Sequence, residues 1–245
     1  MKFENTEVWG FKHALRGMRN PKNSWNKSDS TDSCNNEFEE CTYEKCLLVD
    51  PIIIGKNDMN LAKTLIRAGS EHRKFLRQIF VSVDITAPLY WWKEFDTYKV
   101  GTVANSTSTM HKMASKPITM ECFEIDDYLP LEYEIGEYRF LLDFEVNIFI
   151  DALEDLRKKY LETKDKRYWK ELIRWLPESW LQTRTVTMNY ENLFGMCSKG
   201  QRRFHKLNEW SGRDNSNLPN FISWARALPY AQEFIFIDEL EDKNE

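Results

Sequence analysis

The chain has 245 residues with 42% apolar and 14% aromatic side chains, enough to bury a sizeable core in one large domain or two small ones. Its formal net charge of -5 argues against sequence-independent binding of nucleic acid, which requires a basic face. No stretch reaches the ~20 apolar residues that span a bilayer, and the acidic start MKFENTEVWG does not resemble a signal peptide. We therefore expect a cytoplasmic protein with neither a membrane nor nucleic acid as its partner.

The first part of the chain predicts a helix followed by a polar segment. The helix ends near Asn20-Pro21, and its apolar residues recur at three- and four-residue spacing: Phe11, Ala14, Leu15 and Met18. Residues 20–40 form a polar excursion, ordered or half-ordered, rather than a linker between domains. The apolar run over 47–54 is a weak strand because it contains Pro51.

The next elements are a helix, a strand and a short aromatic helix. Asn57 or Asp58 caps the first of these, and Gly69 ends it. Alternation then predicts a strand over 80–86, with Val81, Val83 and Ile85 on one face. Pro88 opens a short helix, since the missing N–H of proline would be unpaired there anyway. The apolar residues of this helix are Leu89, Trp91, Trp92 and Phe95.

The remaining elements mix strands and helices without regular alternation. A second strand is predicted over 99–103, and a five-turn helix over 142–161. Asp165 caps a further helix that Pro177 closes. The later segments are a strand over 183–189 and helices over 190–196 and 221–228. Because there is no βαβ alternation and no Gly-rich phosphate loop, an α+β fold is favoured.

Three clusters of polar residues are candidates for binding. The first runs from Thr97 to Lys112 and suits a pyrimidine ring, a sugar or a phosphate. It offers Thr97, Tyr98, Thr102, Asn105, Ser106, Thr107, Ser108 and Thr109, with Lys99, His111 and Lys112 as cations. The alternative is a turn whose side chains hydrogen-bond its own backbone.

The second cluster is basic, and the third lies at the end of a helix. The second cluster consists of Gln201, Arg202, Arg203, His205, Lys206 and Glu209. Its two adjacent arginines can bind a phosphate through bidentate hydrogen bonds. Arg174 and Arg184 are further candidates, and the alternative is a solvated basic turn. The third cluster is Ser70-Glu71-His72, which could contact a ligand. The alternative is that His72 only caps the helix or lies on the surface. Trp91 and Trp92 either stack on a ligand or, as their helical spacing favours, lie in the core.

The five cysteines predict neither a metal site nor a nucleophile. Cys34, Cys41 and Cys46 are separated by six and four residues, wider than zinc knuckles commonly have. Nothing in the sequence links Cys122 or Cys197 to a base. We expect reduced, structural thiols and no metal.

Fragments along most of the chain follow the order found in one known family. They are Asn23-Ser24-Trp25, Arg67-Ala-Gly-Ser-Glu-His72, the strand from Phe80, Ala87-Pro88-Leu89-Tyr90, Leu176-Pro177, Thr187-Met-Asn189-Tyr-Glu-Asn-Leu193, and His205 to Glu209. In this order they resemble the flavin-dependent thymidylate synthases. The resemblance implies a single domain over 1–245 with the polar excursion at 20–40. It also implies a thymidylate synthase-complementing-protein-like fold, with a twisted, mainly antiparallel sheet and long flanking helices.

The resemblance further implies an activity and its ligands. Family members form homotetramers with active sites between subunits and reductively methylate deoxyuridine monophosphate. They use FAD, methylenetetrahydrofolate and NADPH, and need no cysteine nucleophile. Residues in positions implied to contact the flavin are Ser24, His72, Tyr98, Lys99, Asn105, Asn189 and His205. Those implied to contact the nucleotide are Glu94, Thr97, Ser106, Thr107, Thr109, Arg174, Arg202 and Arg203.

The chain departs from the family where charge matters most. Thr97-Tyr98-Lys99 stands where the family has Arg-His-Arg, and an ammonium cannot reproduce two guanidinium forks. Thr109 replaces another Arg, and Glu94 replaces a Gln that contacts the nucleotide. Three alternatives therefore stay open beside the family reaction. They are methylation or hydroxymethylation of another pyrimidine nucleotide, a catalytically silent nucleotide- or partner-binding homologue, and an unrelated α+β protein.

Overall fold

A computed structural model describes residues 1–32, 51–126, 128–129, 131–199 and 202–240, without the side chains of His111 and Asp143. Three of the cysteines, Cys34, Cys41 and Cys46, lie outside the described residues, as do residues 47–50 and Gln201. The polar excursion is described only as far as Asp32.

The chain forms two compact units. The larger comprises Lys2–Ile85, Asp96–Ala104 and Thr185–Glu245, and we call it the N/C unit. The smaller, which we call the middle unit, comprises Met1, Thr86–Phe95 and Asn105–Arg184. A single domain over the whole chain stays a prediction.

Two sheets are present among the described residues, and helices account for most of the remaining regular structure. The four-stranded sheet has the order β1 (Lys2–Trp9), β2 (Phe80–Pro88), β6 (Leu181–Asn189) and β3 (Val103–Ser106). The second sheet is an antiparallel hairpin of β4 (Glu132–Ile135) and β5 (Tyr138–Leu141). The α+β class predicted from the sequence is confirmed.

Most of the helices lie where the sequence predicts them, and three short ones of four residues each were not predicted. The helices are α1 (Phe11–Arg19), α2 (Lys56–Arg67), α3 (Leu89–Phe95), α4 (Thr109–Lys112), α5 (Leu142–Thr163), α6 (Lys166–Arg174), α7 (Tyr190–Met196), α8 (Asn208–Ser211), α9 (Phe221–Arg226) and α10 (Ala231–Phe234). The predicted cap of α6 is confirmed, since Asp165 Oδ1 accepts from Arg167 N at 2.9 Å.

Three local predictions were wrong. The second strand is β3, four residues later than the predicted 99–103, because Lys99 instead accepts two hydrogen bonds from Thr102 in a turn. The N-cap of α2 is Gly55 rather than Asn57 or Asp58. The free N–H groups in the first turn of α2 donate instead to a carboxylate that is distant in sequence. Asp29 accepts from Asn57 N at 2.8 Å and from Asp58 N at 3.1 Å. The run before α2 is no strand over 51–54, where Ile53 forms an isolated bridge with Thr31.

The core of the N/C unit includes one face of β2 and the buried side of α1. Val81, Val83 and Ile85 of β2 are fully buried, as their alternation predicts. Gly10 joins β1 to α1 with φ 95°, and a Cβ there would lie 2.1 Å from the carbonyl oxygen of Gln78. Only glycine allows this close approach without strain.

The middle unit has a separate core built around α5. Its buried members are Met113, Ile118, Phe123, Ile150, Leu153 and Leu172. In the same unit, Trp91, Trp92 and Phe95 are buried and contact one another. The core interpretation of the paired tryptophans is therefore correct, and the edge-to-face contact between their rings adds to the packing.

Candidate functional site

One groove of ≈ 250 Å³ in the N/C unit collects residues from three parts of the chain. Its lining is Thr97, Tyr98, Val100, Glu191, Asn192, Gly195, Met196 and Arg202. The single turn of 3-10 helix over Asp96–Tyr98 supplies two of these residues, and α7 supplies four. We call it the signature groove, since Thr97 and Tyr98 are the first two positions of the altered triplet.

The floor of the signature groove is fixed by a capping box at the start of α7. Asn189 Oδ1 accepts from Asn192 N at 2.9 Å, and Asn189 N donates to Asn192 Oδ1 at 3.0 Å. The amide of Asn192 also donates to Val100 O at 2.7 Å. Gly101 follows with φ 82°, and a Cβ there would lie 3.2 Å from Asn192 Nδ2. One amide side chain therefore holds both the helix start and the loop after the triplet.

Tyr98 and Arg202 face each other in this groove. The Arg202 guanidinium carbon lies 4.6 Å from the centre of the Tyr98 ring, a distance at which a cation is attracted to the ring face. Arg202 Nη1 also donates to Gly195 O at 2.8 Å. Arg202 is exposed, and a guanidinium has five N–H donors, so this arrangement retains donors for an anionic ligand.

The negative charge in the groove is paired within the protein. Arg73 Nε donates to both carboxylate oxygens of Glu191 at 3.1 Å. The same guanidinium lies 4.3 Å from the centre of the Phe194 ring. Glu191 therefore repels an anion less than an unpaired carboxylate would.

Arg203, the neighbour of Arg202, is engaged in a different cluster. Its side chain is 4% exposed and donates to Cys197 O at 2.8 Å, Glu239 Oε1 at 2.9 Å and Asp238 Oδ1 at 2.8 Å. Arg226 donates to both oxygens of Glu239 at 2.6 Å. We call Arg203, Arg226, Asp238 and Glu239 the C-terminal clamp. Each group of Arg203 that can donate already bonds inside the protein, which favours a structural role over nucleotide binding.

The clamp shifts the titration of its own groups. The hydrogen bond from Arg226 and the nearby guanidinium charges lower the pKa of Glu239, against the opposing effect of its partial burial. Burial raises the pKa of the Cys197 thiol well above its usual value, so this cysteine stays a neutral core residue.

Other predicted flavin-side residues of the N/C unit lie outside the lining of the signature groove. Lys99 and His72 are exposed, and His72 precedes the 3-10 helix Arg73–Gln78. His205 Nδ1 accepts from Leu207 N at 3.1 Å, and its ring packs 5.7 Å from Trp210. Asn189 contributes through the capping box rather than through the groove lining.

A second groove of ≈ 710 Å³ in the N/C unit contains Ser24. It is lined by Arg19, Lys22, Asn23, Ser24, Asn26, Lys27, Asn57, Asn60 and Leu61, and we call it the amide groove. Two exposed lysines and four asparagine side chains make it rich in hydrogen-bond donors. Such a donor set suits a phosphate or an amide-bearing ring.

A buried ion pair supports the wall of the amide groove. Arg19 Nε donates to Asp58 Oδ1 at 2.5 Å, and the hydroxyls of Ser28 and Ser30 each donate to Asp58 Oδ2 at 2.6 Å. Burial acts to raise the pKa of Asp58, but these hydrogen bonds outweigh it and lower the pKa below its usual value. The carboxylate thus stays charged and joins α1 to α2.

The hydroxyl and amide residues after Ala104 belong to the middle unit. Asn105, Ser106 and Thr107 are exposed, and Thr109 begins α4. Thr107 N donates to Thr183 O at 2.8 Å, and Thr107 O accepts from Gln182 Nε2 at 3.1 Å. The backbone at Thr107 is therefore held in place, while the side chains on β3 stay accessible.

The two remaining candidates also lie in the middle unit. Glu94 is half-buried on α3. Arg174 ends α6 and pairs with Glu171 on the preceding turn, and its side chain is half exposed. An exposed pair of this kind is weak, so Arg174 is easily released from it.

Sequence reasoning missed Glu191, Asn192 and Gly195 as parts of the groove. A signal was present, since Asn189 and Asn192 have the spacing of a capping box and Tyr190 to Met196 was predicted as a helix. Sequence could not show that the loop after Tyr98 meets this helix.

Within the described residues, no group of three or more His, Cys, Asp and Glu side chains is arranged to hold a metal ion. In the same part of the chain, no helix has the length and apolar character to cross a membrane.

Comparison with known proteins identifies the fold through structures rather than sequences. No family model and no curated protein matches the chain. Two solved structures of flavin-dependent thymidylate synthase ThyX from Helicobacter pylori with FAD and dUMP each align with a TM-score of 0.56. The first is 16% identical and covers 97% of this chain and 99% of that one; the second is 15% identical and covers 97% and 98%.

A UMP/dUMP methylase PolB from Streptomyces cacaoi bound with 5-Br UMP aligns less well. Its TM-score is 0.48 at 13% identity, covering 97% of this chain and 92% of that one. From the ThyX alignments, the chain has the fold of the flavin-dependent thymidylate synthases.

Proposed function

We propose that the protein is a flavin-dependent thymidylate synthase-like enzyme with an altered nucleotide site. The reaction would be reductive methylation of deoxyuridine monophosphate, with methylenetetrahydrofolate as carbon donor and NADPH as reductant. The single observation that carries the proposal is that Arg202 lines the same groove as Thr97 and Tyr98 of the altered triplet. Arg202 thus places one guanidinium group beside the triplet in which the family has two arginines and this chain has none.

The amide groove and the signature groove fit the chemistry of FAD and a nucleotide. Lys22 and Lys27 suit a pyrophosphate, and Ser24 is the position that the resemblance assigns to the flavin. In the signature groove, Arg202 suits a phosphate, and the Tyr98 ring offers a surface for a planar group. FAD, when bound and reduced by NADPH, would supply the hydride that the reductive methylation requires.

The chain's own residues bind and orient rather than attack. Arg202 would hold an anionic group through the donors that Gly195 does not use. Asn192 would hold the loop at Val100 in place through its hydrogen bond to the Val100 carbonyl. The Arg73–Glu191 ion pair would keep the net charge of this part of the groove close to zero. Precise orientation of two stacked reactants is itself a large part of catalysis. We propose the homotetramer of the resembling family as the assembly.

A second pyrimidine nucleotide is the main alternative substrate. Glu94 stands where the family has a glutamine that contacts the nucleotide, and a carboxylate accepts hydrogen bonds from an amino group. This favours a cytosine ring over uracil for a methyl- or hydroxymethyltransferase. A silent nucleotide-binding homologue is the remaining alternative, since Lys99 alone keeps a charge within the triplet.

Two measurements test the proposal. The purified protein should be yellow, or become so with added FAD, and its absorbance should bleach on reduction. A protein that stays colourless with added FAD rules out the enzyme. Calorimetry with dUMP and dCMP then identifies the base, and negligible binding of both would favour the silent homologue.

A matched pair of variants tests the role of Arg202. Arg202→Gln should weaken dUMP binding by about tenfold to a hundredfold, the range expected for a charged hydrogen bond. Arg213→Gln is the control, because the Arg213 side chain is exposed and forms a surface ion pair with Asp214. Equal affinities of both variants and the unaltered protein would contradict the assignment.

A further inference from the structure

A further groove of the N/C unit, of ≈ 410 Å³, lies along one side of α1 and has no part in the proposed function. Its lining is Lys12, His13, Leu15, Arg16, Arg19, Trp25, Ser28, Ser30, Asp32 and Ile52. We call it the α1 groove. Its volume falls within the range of roughly 300–1,000 Å³ that is common for small-molecule sites.

The wall that residues 28–32 and Ile52 contribute is held in place by hydrogen bonds within the chain. The backbones of Thr31 and Ile53 exchange hydrogen bonds of 3.0 and 2.9 Å. The Tyr230 hydroxyl, from a distant part of the chain, donates to Ile52 O at 2.8 Å. The α1 groove is thus preformed, so a ligand does not have to order this wall at a cost in binding free energy.

Part of the lining is apolar and aromatic. Leu15 and Ile52 are almost fully buried, so they form the floor of the groove. The Trp25 side chain is half exposed, and its Nε1 donates to Asn20 Oδ1 at 2.8 Å, which fixes the orientation of the indole. An oriented indole beside aliphatic side chains suits a planar apolar group.

The cations of the α1 groove are spaced by three and four residues along α1, so they lie on one side of the helix. Two of them have counter-charges. Lys12 Nζ lies 3.0 Å from Asp32 Oδ2, and Arg19 donates to buried Asp58. Arg16 is exposed and forms no ion pair within the described residues. The groove therefore offers one uncompensated guanidinium.

This charge pattern favours a monoanion with a planar head. A guanidinium binds a carboxylate through two parallel hydrogen bonds. A phosphate group carries about two negative charges at neutral pH, and exposed Asp32 would repel the second of them. The α1 groove thus suits a carboxylate better than a phosphate.

We propose that the α1 groove is a binding site for a small aromatic carboxylate. Arg16 holds the carboxylate, and His13, exposed in the same lining, offers a further N–H donor. The ring of the ligand lies against Trp25 and the apolar floor. The site is separate from the signature groove and does not depend on the proposed enzymatic function.

Calorimetry with 2-naphthoate tests the chemistry of the site. The unaltered protein should bind 2-naphthoate at least about tenfold more tightly than neutral 2-naphthol or inorganic phosphate, since each of these lacks one half of the recognised group. Arg16→Gln should weaken 2-naphthoate binding about tenfold to a hundredfold, and Arg16→Lys by less. Arg213→Gln, at an exposed ion pair, is the matched control and should bind normally.

Three results would overturn the proposal. They are the absence of binding at millimolar 2-naphthoate, equal affinity for 2-naphthol, and unchanged affinity of the Arg16→Gln variant. Arg202→Gln and added dUMP should leave 2-naphthoate binding unaltered, because they act in the signature groove. A protein that binds 2-naphthoate but not dUMP would support the α1 groove while the proposed function fails.

Fluorine NMR of fluorotryptophan-labelled protein locates the ligand. The Trp25 resonance, identified by its loss in Trp25→Phe, should shift on addition of 2-naphthoate in the unaltered protein and much less in Arg16→Gln. The resonance of Trp175, a 58% exposed tryptophan of the middle unit, should stay unchanged. Binding by calorimetry without a shift at Trp25 would place the ligand elsewhere and overturn the proposal.

Discussion

The signature groove and the C-terminal clamp each contain one of two adjacent arginines, yet these two side chains are used differently. Arg202 is exposed, bonds one carbonyl and covers the Tyr98 ring. Arg203 is buried and bonds a carbonyl and two carboxylates. Two adjacent arginines that the sequence suggests as one phosphate-binding pair are thus divided between an exposed groove and a buried cluster of ion pairs. The following predictions test this division.

The largest effect is expected in the clamp. Arg203→Gln removes the buried partner of Asp238 and Glu239 and should lower the free energy of unfolding by about 3 kcal/mol. Urea denaturation measures this loss. Arg213→Gln, an exposed control, should change the stability little. Unchanged stability of Arg203→Gln would contradict the structural role of the clamp.

A smaller loss is expected at the floor of the groove. Asn192→Ala removes one half of the capping box and the hydrogen bond to Val100 O, which should cost about 1–2 kcal/mol. The loop after Tyr98 should also loosen, so dUMP binding should weaken in calorimetry. Asn217→Ala, at an exposed position, is the control. Loss of stability without loss of binding would separate Asn192 from the site.

The C-terminal clamp should also make the free energy of unfolding depend on pH in the acidic range. The folded-state pKa of Glu239 is lowered from its usual 4.5, so its contribution is fully present above that value. The contribution disappears as the pH falls through the lowered folded-state pKa. Glu239→Gln should therefore show a shallower loss of unfolding free energy below pH about 4.5 than the unaltered protein. Parallel curves for the two proteins would contradict this account.

The smallest change in stability is expected for Arg202 itself. Arg202→Gln should alter the unfolding free energy by within about 0.5 kcal/mol, since its contacts are solvent-exposed. Its weakened nucleotide binding would then be a local effect. A destabilisation as large as that of Arg203→Gln would remove the contrast between the two regions.

Much of the fold was predictable because its signals are local. Alternation located β2 and β6, and three- and four-residue spacing located α1 and α5. The hairpin of β4 and β5 was missed, because its apolar residues lie on an exposed face and its strands are only four residues each. The cap of α2 was missed for another reason, since Asp29 acts from a distant segment.

The candidate site was predictable only in part. The resemblance identified Thr97, Tyr98 and Arg202, although nothing in the sequence brings residues 98 and 202 together. The contribution of Glu191 and Asn192 depends on α7 lying beside the loop after Tyr98. Whether the flavin-side residues act as the resemblance implies stays a prediction.

The sequence by itself determined most of the elements, the aromatic core of α3 and the order of motifs, because spacing and chemistry act between near neighbours. Tertiary structure alone decided which arginine is buried, which amide joins a helix to a loop, and which side of α5 is left uncovered. These outcomes depend on partners far apart in the chain, whose burial and pairing no local pattern encodes.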